Sequence, residues 1–266
     1  MSFRRLRILL LLGVLAAAAG LTWLEQTMVR AWQTPLDVAV VPISGDGSPE
    51  AAQMIRALQA SDFDDINAFL ERESARYGVK LSPAMQVSLL PALDEMPPVP
   101  PRDGSVLKTV FWSMQLRWWV YQQSGALLPQ LGTVKLFVLY HAPQDGVALE
   151  HSLGLQKGLI GVVHAFADPS QTQQNNIVIA HELLHTLGAT DKYGAGGRPT
   201  YPEGVADSSR PPDAPQHAAE IMAGRYVNAA GRVVMPASLE QCVIGAKTAH
   251  EINFDAGFQR RFGSSS

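Results

Sequence analysis

HELLHTLGATD occupies residues 181–191. His181 and His185 are four apart, so on a helix they lie on one face, one turn above the other. Two neutral imidazoles so placed can reach one divalent ion, and imidazole suits zinc. Glu182 flanks that face, where its carboxylate can hydrogen-bond a water at the metal without ligating the metal. Zinc lowers the pKa of such a water to about 7, and a nearby carboxylate can take its proton as it attacks a carbonyl. Gly188 predicts a helix stop in the left-handed conformation, which turns the chain back and brings Asp191 in as a third ligand. Three protein ligands with one open position is the catalytic arrangement; four closed ligands would be structural. The competing explanation is an amphipathic helix with two surface histidines and a core face of Ile177, Ala180, Leu184 and Leu187.

Outward from this stretch, the apolar patterning predicts one domain over residues 36–262 in which strands alternate with helices. Strands are expected at 37–43, 85–90, 133–140 and 159–166, and helices at 61–77, 105–123 and 177–187. In the helix over 105–123, Leu107, Phe111, Met114, Trp118 and Tyr121 recur at spacings of 4, 3, 4 and 3, which predicts that they face the core. Residues 194–217 are rich in Gly, Pro, Asp and Ser and too long for an ordinary connector, which marks a functional or disordered loop. Ser238 and Gln241 have capping-box spacing for a last helix reaching about Ile252. Residues 263–266 read as a frayed tail.

The N-terminal end has a different pattern. Residues 1–7 carry Arg4, Arg5 and Arg7, and residues 8–24 are uncharged and mostly apolar. This reads as a cytoplasmic n-region followed by a transmembrane anchor or a signal h-region, with residues 25–35 as a stalk. The expected location is then membrane-anchored, facing the periplasm or cell exterior, or secreted if the segment is cleaved. A formal net charge of −3 over 266 residues is no footprint for nucleic acid. The single cysteine, Cys242, excludes an internal disulfide framework and reads as a small buried hydrophobe. Nothing in the sequence sets the oligomeric state.

His181-Glu182-x-x-His185-x-x-Gly188-x-x-Asp191 resembles the extended zinc motif of the metzincin metallopeptidases. Histidine is the usual third ligand in that clan, and aspartate there is similar to the snapalysin-type variant. Metzincins also carry a methionine turn below the zinc, and Glu220-Ile221-Met222 stands at a plausible distance for it. The segment Gly161–Phe166 resembles the matrixin edge strand that lies along the substrate. The resemblance implies an α+β, zincin/metzincin-like fold: a twisted mixed sheet, an active-site helix and an irregular C-terminal subdomain ending in a helix. It implies one catalytic Zn2+ held by His181, His185 and Asp191, Glu182 as general base, and a peptide or protein substrate. Thermolysin-like enzymes would instead take the third ligand from a glutamate, here Glu203 or Glu220, while a deuterolysin-type reading keeps Asp191. Tyr193 is a candidate oxyanion donor. His141, Asp145, His151 and His164 are candidates for a second, structural zinc. The alternatives in function are a binding or scaffold protein with a zincin fold and little turnover, and a zinc hydrolase of a non-peptide amide.

Overall fold

A computed structural model describes residues 3–101, 105–123, 132–143, 152–155 and 158–255. The first half contains α1 (Phe3–Val29), β1 (Leu36–Ser44), α2 (Pro49–Ala57), α3 (Asp64–Arg76), β2 (Met85–Leu89) and α4 (Val106–Gln123). β3 (Val134–His141), β4 (Leu153–Leu155), β5 (Ile160–Phe166) and α5 (Thr172–Thr186) follow. Beyond them lie β6 (Ala219–Glu220), β7 (Tyr226–Val227), β8 (Val233–Val234), β9 (Cys242–Val243) and α6 (Ala246–Glu251). The architecture is α+β at the coarse level, with a five-stranded sheet in the order β2-β1-β3-β5-β4. Its strand pairs are parallel except β4 with β5.

The central strands are apolar on both faces because both faces are covered. Leu136, Val138 and Tyr140 of β3 join Ile66, Phe69 and Leu70 of α3 and Ala180, Leu183 and Leu184 of α5 in one core. Phe137 and Leu139 point the other way and pack with Trp112, Leu116, Trp119 and Val120 of α4. Sheet pairing therefore fixes two cores, and α5 lies against the sheet beside β5 and β4. Asn175 clamps α5 to the end of β5: its Oδ1 accepts from Phe166 N at 3.0 Å and its Nδ2 donates to Phe166 O at 2.9 Å. Asn176 donates to Asp62 O at 2.8 Å, ahead of α3.

The structure corrects several expectations. The α4 stripe faces outward: Leu107 is 82 % exposed and Tyr121 69 %, with Phe111, Met114 and Trp118 also exposed. This helix is apolar nearly all round, so two faces carry helical spacing, and the sheet takes the one bearing Trp112, Leu116 and Trp119. β5 is not an edge strand, because β4 pairs antiparallel along its outer side. α5 starts at Thr172, five residues earlier than expected, because its polar first turns carry no apolar signal: Gln173 and Gln174 are exposed, and Asn175 and Asn176 are buried on backbone partners. Ser238 caps no long helix; α6 begins only at Ala246, after the strand that carries buried Cys242. Burial pushes the Cys242 thiol up to about 12, as expected for an inert core sulfur.

The membrane anchor is also overturned, and with it the location facing the periplasm or cell exterior. Among the described residues no helix is long and apolar enough to cross a membrane. A 17-residue run spans about 25 Å as a helix, short of a hydrocarbon core about 30 Å thick. The helix also does not give way to a stalk. It continues through Glu25 to Val29, and the chain after it is held to the domain. Trp32 is buried against Phe254 and donates its indole N–H to Ile252 O at 2.6 Å, and Arg30 donates to Glu251 O. Residues 256–266, which include the expected tail, lie outside the described residues.

Candidate metal centre

α5 presents His181 and His185 from adjacent turns, with ring centroids 4.6 Å apart. The helix ends as the sequence predicts. Gly188 has φ +106°, Gly188 N donates to His185 O at 3.1 Å, and Ala189 N reaches back to Leu184 O at 3.0 Å. This pair of bonds is a Schellman stop, and only a residue tolerant of the left-handed region sits at its centre without strain. The reversed chain puts the Ala189 carbonyl 2.8 Å from His185 Nδ1. Asp191 Oδ1 then stands 3.2 Å from His181 Nε2 and 3.1 Å from His185 Nε2.

The opposite sides of both rings are engaged by backbone carbonyls. His181 Nδ1 lies 2.9 Å from Ile221 O, as His185 Nδ1 lies against Ala189 O. A carbonyl only accepts, so each Nδ1 carries a proton and donates it. In a neutral ring the Nε2 lone pair then points to the common centre. Two such lone pairs and a carboxylate oxygen meeting at one point repel one another unless a cation stands among them or the rings are protonated. This donor set, with its tautomers fixed from behind, fits a divalent zinc ion. Glu182 is 5 % exposed, and one oxygen of it lies with one nitrogen of each histidine, all within 4.8 Å of one another.

Electrostatics follow the geometry. Partial burial works against ionisation of Asp191, but without a cation protonated His181 and His185 donate hydrogen bonds that together outweigh it and hold the carboxyl well below the usual range. Burial likewise opposes protonation of His185, and Asp191 and Glu182 overcome it and raise its pKa. Tyr193 is raised by burial first and then by the adjacent Asp191 carboxylate. Its ring lines the same cleft as His181 and Glu182.

Asp191 is held from both sides. Thr190 N and Oγ1 donate to the two carboxylate oxygens of Glu251 in α6, at 2.9 and 2.8 Å. Buried Lys192 places its Nζ 2.8 Å from Glu251 Oε2. Glu251 thus braces the residues on either side of Asp191 and would position its carboxylate as a third donor to a metal. Glu251→Ala is expected to weaken zinc binding about 10–100-fold, the usual cost of losing a group that orients a ligand. Competition titration with a zinc chelator measures it, and an unchanged affinity would deny Glu251 that role.

Glu203 and Glu220 do not join the donors. Glu203 is exposed in the loop after Tyr193. Glu220 is fully buried, and burial raises its pKa against the pull of its hydrogen bonds. Its Oε2 accepts from Met222 N at 2.7 Å and Ala223 N at 3.0 Å, and its Oε1 accepts from Thr248 Oγ1 at 2.6 Å. It therefore braces the Met222 turn against α6. Met222 is fully buried in the core, its own carbonyl accepts from Lys192 N at 2.9 Å, and the carbonyl before it orients His181. His141 and His164 stack with Nε2 and Nδ1 2.8 Å apart, but Asp145 and His151 lie outside the described residues.

Three features of the site escaped the sequence. Gly154 of β4 lies so close to α5 that a Cβ would overlap His185 Cβ and the Glu182 carbonyl. Gly154→Ala is expected to cost about 1–3 kcal/mol through overpacking, read as a lower denaturation midpoint; an unchanged midpoint would show that β4 can move off the helix freely. Glu251 carries no motif that marks it as a brace. Arg225, three residues past Met222, lines the cleft with His181 and Glu182. The cleft has a volume of about 690 Å³ and runs from Ser152 and His164 to Gly224 and Met235. No protein-family model matches the chain, and no curated protein matches it.

Proposed function

We propose that the chain is a zinc-dependent metallopeptidase of metzincin type, with His181, His185 and Asp191 as metal ligands and Glu182 as general base. The observation that carries this reading is the convergence of two Nε2 atoms and one carboxylate oxygen, while both Nδ1 atoms are held by backbone carbonyls. The left-handed stop at Gly188 and the buried Met222 turn beside His181 support the metzincin type over other zincins.

When bound, zinc supplies Lewis acidity, which polarises a carbonyl and makes water more acidic. Glu182 takes the proton of the attacking water and delivers it to the leaving amine. The edge strand β4 lies over α5, and among the described residues it pairs only with β5. Its outer edge offers main-chain groups to an extended peptide, which would add as a further strand.

The test uses the full chain and a mixed-sequence peptide library. Cleavage is expected to vanish after chelation and return with about one equivalent of zinc per chain. Cleavage indifferent to the chelator, or none at all from zinc-loaded protein, would overturn the reading.

A further inference from the structure

The cleft beside the donor cluster has a cationic wall. Arg225 is exposed, lines the cleft, and has no hydrogen bond or ion pair among the described residues. The other arginines of this loop region are engaged: Arg198 pairs with Asp213, and Arg210 with Asp207. Arg225 is nevertheless not loose in solvent. Its Cζ, Nε and Nη1 all stand 3.8 Å from the point where a Cβ on Gly197 would lie, so the guanidinium presents its flat face to that glycine. Gly196 and Gly197 have φ of +77° and +70°, values that side chains rarely allow, so this wall of bare backbone needs glycine at both positions. A planar fork backed against a surface keeps its N–H groups in one plane and pre-organised for a carboxylate.

Besides histidines, the only ionisable groups of fixed charge that line the cleft among the described residues are Glu182 and Arg225. Glu182 is committed to the reacting water under the proposed function, on which this inference rests. That leaves Arg225 to meet charge on the substrate. We infer that Arg225 selects peptides bearing a carboxylate close to the scissile bond. The carboxylate can be the side chain of an aspartate or glutamate, or the free C-terminus of a short peptide. A bidentate contact of this kind in a partly enclosed site is expected to contribute about 10–100-fold in affinity.

The experiment separates recognition from turnover. Full-length Glu182→Gln protein is titrated with fluorescent octapeptides that differ only at one scanned position, Asp or Asn, each with a free or an amidated C-terminus. The inference expects binding about 10–100-fold tighter for one carboxylate-bearing set, and which set responds tells side chain from C-terminus. Arg225→Ala should erase that difference and leave neutral peptides unaffected. Arg225→Glu should reverse it in favour of a lysine at the same position. Equal binding of all four peptides, Asp and Asn, free and amidated, or a carboxylate preference that survives Arg225→Glu, would overturn the inference. A separate measurement, zinc-dependent cleavage of neutral peptides by the wild type, would then still support the peptidase reading, so the two failures are distinguishable.

Discussion

Glu182→Ala is expected to lower peptide hydrolysis by at least about 10²–10⁴-fold, the usual contribution of a positioned general base, while zinc stays bound. The two halves of this result come from different atoms. Metal affinity depends on the nitrogens and the carboxylate oxygen that meet at one point, His181 Nε2, His185 Nε2 and Asp191 Oδ1. Under the proposed function proton transfer depends on the Glu182 carboxylate, which is buried beside the edge strand with one oxygen within 4.8 Å of a nitrogen of each histidine. Its removal is expected to leave the three donor atoms in place, since Asp191 and the backbone carbonyls behind each ring hold them. Initial rates and zinc stoichiometry, measured on the same preparations, check both halves. Full activity in the variant would defeat the mechanism, and loss of zinc would make Glu182 a ligand instead.

Asp191→Ala should have the opposite signature. Zinc affinity is expected to fall by more than about 100-fold, since even groups one layer behind a ligand typically cost 10–100-fold, and activity should fall with occupancy. The apoprotein should remain folded, because the Asp191 side chain is 45 % exposed and contributes no core packing. The wild type should then gain thermal stability on adding zinc, as any ligand that binds only the native state requires. The variant should gain little at the same concentration. Equal zinc shifts in the two proteins would remove Asp191 from the ligand set.

How much of this was legible in the sequence varied with the kind of signal. β1 and β3 each hold an uninterrupted apolar stretch, residues 38–43 and 136–140, and their bounds are off by only one residue because such a stretch suits a central strand covered on both faces. The Gly188 stop was legible because few residues tolerate its backbone conformation, and the approach of Asp191 follows from it. The facing of α4 was not legible. Leu107, Phe111, Met114, Trp118 and Tyr121 have helical spacing, and so have Trp112, Leu116 and Trp119; only the sheet chooses between them. β4 is three residues long, and its Gly154 gives no strand signal, since glycine is there for close approach to α5. Glu220 illustrates a limit of motif reading. A glutamate near a zinc motif looks like a ligand, yet here its four hydrogen bonds support the turn that carries Met222. Tertiary contacts decide such roles, and the spacing of residues along the chain does not contain them.

The central claim, that His181, His185 and Asp191 form a zinc site, is tested most directly by anomalous diffraction across the zinc absorption edge on crystals of the full chain. One strong peak per chain is expected, about 2.0–2.1 Å from both Nε2 atoms and within bonding distance of an Asp191 oxygen. A peak that lies elsewhere, or none at that position in crystals grown with zinc, would contradict it.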